Sequence, residues 1–184
     1  MAIKLAQKYN GEIISADSRQ VYRGMDIGTG KVKFTTKGHL LLSCKRCPFV
    51  VSEQIRHYLI NVASPKKQFN ANDFKKLGEK AIKEITAQDK TPIIVGGTGF
   101  YIDILLGRAV VAEVPPNKKL RAQFDKLTVE HLFKMLQKLD PRRAKTIDRH
   151  NKRRLIRALE IVLVTKKSSL NTQNSLLNNR YSIL

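Results

Sequence analysis

Asp17, Ser18, Arg19 and Gln20 follow closely on an apolar pair, Ile13 and Ile14, so a strand signal runs directly into a cluster of polar side chains. In open parallel sheets the place just past a strand's carboxyl end is where ligands bind. A carboxylate there can serve as a general base, provided its surroundings keep it ionised. It can equally cap the turn that follows, a common use of Asp in Ala-Asp-Ser sequences. Ser18 and Gln20 are short polar groups suited to reading a base edge, and Arg19 beside them can meet a phosphate. Tyr22 and Met25 suit either the wall of an apolar channel or ordinary core packing.

A second cluster, Gly96-Gly-Thr-Gly99, closes the apolar run from Pro92 to Val95. Glycines allow close backbone approach and the amides of a following helix can face an anion, so Gly96, Gly97 and Gly99 are candidate phosphate-binding positions and Thr98 adds a hydroxyl donor. A sharp strand-to-helix turn would need the same residues. No Gly-x-x-x-x-Gly-Lys-[Ser/Thr] run occurs. Arg153, Arg154 and Arg157 stand at helical spacings that can grip neighbouring phosphates or form a solvated basic face. Cys44 and Cys47 form one Cys-x-x-Cys pair, half of what a zinc site needs, and read as reduced thiols rather than as a metal centre.

Positioning these residues requires a layered α/β domain. The order is a helix over 2–9, a strand before Asp17, a strand over 58–62, a helix over 70–88 capped by Asn70 or Asn72, a strand over 92–95 and a helix over 100–106. Residues 32–56 lack a clean period and read as an irregular insertion. After Val114-Pro-Pro116 the pattern turns all-helical, with two helices over 117–138 and another over 150–166 that buries Leu155, Ile156, Leu159 and Val162.

The chain has 184 residues, 35 Lys and Arg against 15 Asp and Glu, and a formal charge of +20. That length holds one ordinary domain with a small appendage, and the charge makes a polyanion the leading partner. No signal-peptide h-region or bilayer-length apolar run appears, so a cytoplasmic protein without membrane association is expected.

The run Asp17-Ser-Arg-Gln-Val-Tyr-Arg-Gly-Met-Asp-Ile-Gly-Thr29 resembles the signature of the tRNA dimethylallyltransferases. Further blocks occur in that family's order: His57-Tyr-Leu-Ile60 with Phe69-Asn-Ala-Asn-Asp-Phe74, Ile94-Val-Gly-Gly-Thr-Gly-Phe-Tyr101, and Asp140-Pro141 with Arg153-Arg-Leu-Ile-Arg-Ala-Leu-Glu160. The resemblance implies an incomplete P-loop NTPase-like α/β core with a parallel sheet (1–113), a helical tRNA-binding insertion (114–148), a return helix of the core (149–167) and an irregular tail (168–184). It implies transfer of a dimethylallyl group from dimethylallyl diphosphate to N6 of an adenine beside the anticodon of tRNA, the base being extruded from its stack. Asp17 resembles the general base and Thr98 a threonine at the reacting centre. Asp17, Ser18, Arg19 and Gln20, and Arg153, Arg154, Leu155, Ile156 and Arg157, match two tRNA-contacting segments. Mg²⁺ is the implied cofactor and a monomer the implied state. The family's P-loop strand and C-terminal part have no counterpart in these residues, so the resemblance implies a fragment that binds tRNA without transferring the prenyl group. A basic tRNA-binding remnant and a P-loop nucleotide kinase relative are the alternative readings.

Overall fold

The computed structural model describes residues 1–33, 49–109, 111–112 and 114–166. The expectations for the cysteine pair and for the tail from 168 onward fall outside that set. The chain divides into two compact units between residues 109 and 110.

The first unit is an α/β layer. Helix α1 (Ala2–Lys8) leads into β1 (Gly11–Ser15), followed by β2 (Phe49–Ser52), β3 (Ile55–Tyr58), α2 (Ala71–Thr86), β4 (Thr91–Val95) and α3 (Gly99–Leu105). The sheet order is β2-β3-β1-β4. β1 is parallel to both β3 and β4, with Ile13 opposite His57 and Ile93, and Ile14 opposite Tyr58 and Ile94. Every residue of β1 is buried, as a strand flanked on both sides and covered on both faces requires. Helix α2 opens with a capping box: the Asn70 side chain accepts from the amides of Asn72 and Asp73, and Asp73 accepts from the Asn70 amide. Its Phe74 stacks on Tyr101 of α3 with ring centroids 3.9 Å apart. Gly78 lets α2 and α3 meet, since a Cβ there would lie 2.6 Å from Leu105.

Two expectations change in this unit. Residues 49–56 are not irregular, because β2 and β3 form an antiparallel hairpin. Its two-residue turn, Glu53-Gln54, holds both residues at positive φ, 47° and 65°, a conformation that usually announces itself through Asn-Gly or Gly. The strand expected over 58–62 instead ends at Tyr58, because Leu59 and Asn61 turn to positive φ, 63° and 59°.

The second unit contains α4 (Lys118–Phe124), α5 (Val129–Leu139), α6 (Pro141–Thr146) and α7 (Lys152–Thr165). Each begins at a side-chain cap: Asn117 accepts from Leu120 N, Thr128 from His131 N, Asp140 from Arg143 N and Asn151 from Arg154 N. Each cap satisfies one of the orphan amides that open a helix and contributes about 1 kcal/mol. The core joins Phe124, Leu132, Leu136, Ala144 and Ile147 to Leu155, Ile156 and Leu159. α7, expected as a return helix of the α/β core, therefore packs among the helices that precede it, because its apolar stripe finds its match there. The division also falls four residues earlier than the expected boundary after 113.

Candidate functional site

Past the carboxyl ends of β1 and β4 the two chains stay laced together. Ala16 N donates to Val95 O at 2.8 Å, Thr98 N to Ala16 O at 3.0 Å, and Ser18 N to the Thr98 hydroxyl at 3.0 Å. Gly96 makes this approach possible, since a Cβ there would collide with the backbone of Ala16. A glycine is needed for space at this position, while a Cβ on Gly97 would make only ordinary contact with Asp17 and one on Gly99 would meet open space. Thr98 and Asp17 are thereby brought together at one rim of the sheet.

Asp17 uses its oxygens differently. Oδ1 accepts from Arg19 N at 2.7 Å and Gln20 N at 3.1 Å, so it caps the turn. Oδ2 faces the Gly97 side, 3.7 Å from the position a Cβ on Gly97 would take. Capping and chemistry are compatible in one carboxylate. Thr98 Oγ1 accepts from Ser18 and so keeps its own proton for donation.

The remaining expected residues separate into two kinds. Ser18 and Arg19 are exposed. Gln20 is turned inward: its Oε1 accepts from the Ser15 hydroxyl at 2.8 Å and its Nε2 donates to Thr29 O at 3.0 Å and Gly30 O at 3.2 Å. Its amide is fully used as a clamp rather than offered to a base edge. Tyr22 accepts from Phe69 N through its hydroxyl, and Met25 is partly exposed. On α7, Arg153 and Arg154 are exposed. Leu155 and Ile156 are buried in the helical core, so their side chains do not offer a contact surface. Arg157 donates to Glu160 Oε2 at 3.2 Å and to Val114 O at 2.9 Å, bracing the incoming chain instead of extending to solvent.

Three features escaped the sequence reading. Tyr101, two residues beyond Gly99, is buried, and its phenol is pushed above its usual range by burial first and then by the fields of Tyr22, Asp73 and Asp17; it stays a proton donor near the Asp17 rim. Lys31 is buried and donates to Tyr22 O, Asp26 Oδ1 and Asn61 Oδ1; one lysine among many carries no sequence signal. Glu160 is buried against Arg121, in a two-point contact of 2.7 and 2.8 Å, and accepts from Asn117 N at 3.0 Å. Burial acts to raise its pKa, but the hydrogen bonds from Arg121, Asn117 and Arg157 outweigh it and hold the carboxyl below its usual range.

Among the described residues no three His, Cys, Asp or Glu side chains converge, and Asp17, the acidic residue of the rim, already engages one oxygen with backbone amides. Nor is any described helix long and apolar enough to cross a membrane.

The fold is that of an α/β protein, and its carboxylate and hydroxyl stand just past neighbouring parallel strands, where such sheets place their ligand sites. The chain matches the IPP transferase family over residues 20–184 and belongs to it. It is 38% identical over 168 residues to a tRNA dimethylallyltransferase of Anoxybacillus flavithermus, covering 91% of this chain and 49% of that protein. With a tRNA dimethylallyltransferase of Staphylococcus epidermidis it shares 41% identity over 174 residues, covering 91% and 48%. The chain thus spans about half the length of the curated relatives it matches. Among solved structures it is similar to a eukaryotic dimethylallyltransferase acting on tRNA, with a TM-score of 0.73 and 28% identity, covering 95% of this chain and 41% of that one.

Proposed function

We propose that the protein transfers a dimethylallyl group from dimethylallyl diphosphate to the exocyclic N6 of an adenine beside the anticodon of tRNA. The observation that carries this is the apposition of Asp17 and Thr98 across the laced ends of β1 and β4, in a chain of the IPP transferase family. In the reaction the adenine nitrogen attacks the allylic carbon, forming a C–N bond as the C–O bond to diphosphate breaks. The leaving oxygen takes the bonding pair. Asp17 Oδ2 accepts the proton that N6 loses, while Oδ1 stays tied to Arg19 N and Gln20 N and so holds the carboxylate in place. The Thr98 hydroxyl, fixed by Ser18 N, is placed to donate to the reacting groups, and the open backbone at Gly97 and Gly99 leaves room for the diphosphate. Exposed Arg19, Arg153 and Arg154 supply charge for RNA phosphates.

Labelled donor and tRNA incubated with the full-length protein test this. Asp17→Asn keeps an oxygen for the turn but cannot take the proton, so turnover should fall roughly 10²- to 10⁴-fold, the usual worth of a general base, with tRNA affinity held within about twofold. A parallel loss of affinity would reassign Asp17 to recognition. Binding without turnover by the unaltered protein would favour the basic RNA-binding reading.

A further inference from the structure

Residues 24–30 form a loop whose shape is set by Gly24, Gly28 and Gly30, all at positive φ of 63–73°. It is held from within by Thr29, whose hydroxyl bonds to Met25 O at 2.8 Å. It is held from outside by the Gln20 amide and by Lys31, whose three ammonium donors meet three acceptors at 2.6, 2.8 and 2.7 Å. The Lys31 side chain is 3% exposed. At the tip of this braced loop stands Ile27, 99% exposed.

A single exposed apolar side chain is ordinary on a protein surface. This one differs in how firmly its backbone is fixed and in what fixes it. Gln20 gives its backbone amide to Asp17 Oδ1 and its side-chain amide to Thr29 and Gly30, so one residue sets the loop relative to the carboxylate. Among the residues close to the loop in sequence, Arg19, Arg23 and Lys33 are exposed and basic, Arg23 also donating to Asn61 O, and Asp26, the acidic residue of the loop, is paired with Lys31. An apolar tip flanked in sequence by basic residues suits a nucleic acid that offers phosphates at its edge and a base face at its centre.

We infer that Ile27 is a wedge that takes up the gap left in the anticodon-loop stack when the target adenine swings out to Asp17. The inference rests on the proposed function, and it assigns Gln20 and Lys31 as positioning residues. Apolar side chains inserted between bases are a known way of holding nucleic acid unstacked, and an extruded base leaves a void that water fills poorly.

The test uses the full-length protein and a synthetic anticodon stem-loop with 2-aminopurine next to the target adenine, its fluorescence rising on unstacking. It is read first without donor. Ile27→Ala should lose most of the rise seen with the unaltered protein and lower kcat/KM for the stem-loop about tenfold, the worth of roughly one stacking contact. Ile27→Leu should restore both. The KM for the diphosphate donor should not move, and an unrelated duplex RNA should bind equally to all three proteins. A rise of normal size with Ile27→Ala, or an effect confined to the donor KM, would overturn the wedge and in the second case place the prenyl tail on Ile27 instead. Failure of the proposed function gives a different result: the unaltered protein raises the fluorescence but forms no prenylated adenine. No rise with the unaltered protein would remove the wedge as well.

Discussion

Asp17 holds a turn with one carboxylate oxygen and turns the other toward Gly97. Removing the side chain should therefore cost stability as well as turnover. Asp17→Ala, leaving the amides of Arg19 and Gln20 without their acceptor, should lower unfolding free energy by about 0.5–2 kcal/mol, the worth of a capping acceptor at an exposed turn, while Asp17→Asn should cost less; chemical denaturation of both proteins checks this. Gly96→Ala attacks the same place by steric means. Its methyl group meets the Ala16 backbone, which cannot move without parting β1 from β4, so a loss of about 1–3 kcal/mol should accompany loss of the Asp17–Thr98 apposition and of turnover. His57 supplies a pH signature. Its Nε2 is buried without a partner among the described residues, and burial lowers its pKa from the ordinary 6.5. The unfolded chain thus binds a proton near pH 6.5 that the folded chain refuses, so stability falls as pH drops through 6.5 and continues to fall until the folded pKa is passed. Replacing His57 by Leu should flatten the melting-temperature profile between pH 7 and pH 5.

At the scale of elements, α4 and α7 are joined by the buried Glu160 with Arg121 and Arg157. Here the sign reverses. A carboxyl depressed below 4.5 contributes stability above that pH and loses it as pH falls through its folded value. Glu160→Gln should cost about 1–3 kcal/mol at pH 7, less than a fully buried pair because the Arg121 and Arg157 side chains are 41% and 32% exposed, and should weaken the acid limb of the melting profile below about pH 4.5. How far such features could be read in the sequence depends on whether they are local. The caps at Asn70, Asn117, Thr128 and Asn151 and the apolar stripe of α7 follow from neighbouring residues, and so do β1, β4 and the Gly96–Thr98 turn. The β2–β3 hairpin was hidden because Glu53 and Gln54 are unusual residues for its turn. The clamp role of Gln20 and the brace role of Arg157 were hidden for a different reason, since their partners include Thr29 and Gly30, 9 and 10 residues from Gln20, and Val114, 43 residues from Arg157. Polar side chains of the same type serve equally as ligand readers, and only the fold decides between them.

Across the whole molecule the charge of +20 should make RNA affinity fall steeply with salt. Arg153→Ala and Arg154→Ala, both at exposed positions, should each reduce the slope of log K against log salt by roughly one. Arg157→Ala should lower thermal stability while leaving that slope nearly unchanged, because its guanidinium is engaged within the chain. The pairing of β1 with β4 has a further consequence, in time rather than in space. Ser18 and Thr98 meet across eighty residues of chain, so at 5–20 residues per second the ribosome delivers β4 roughly 4–16 s after β1. During that interval β1, with Ile13 and Ile14 that end fully covered, can pair with β3 and pack on α1 and α2 but lacks its β4 neighbour. The nascent chain waits with one flank of its central strand open, and that wait is the stage at which a chaperone, or another unfinished chain, has access to it.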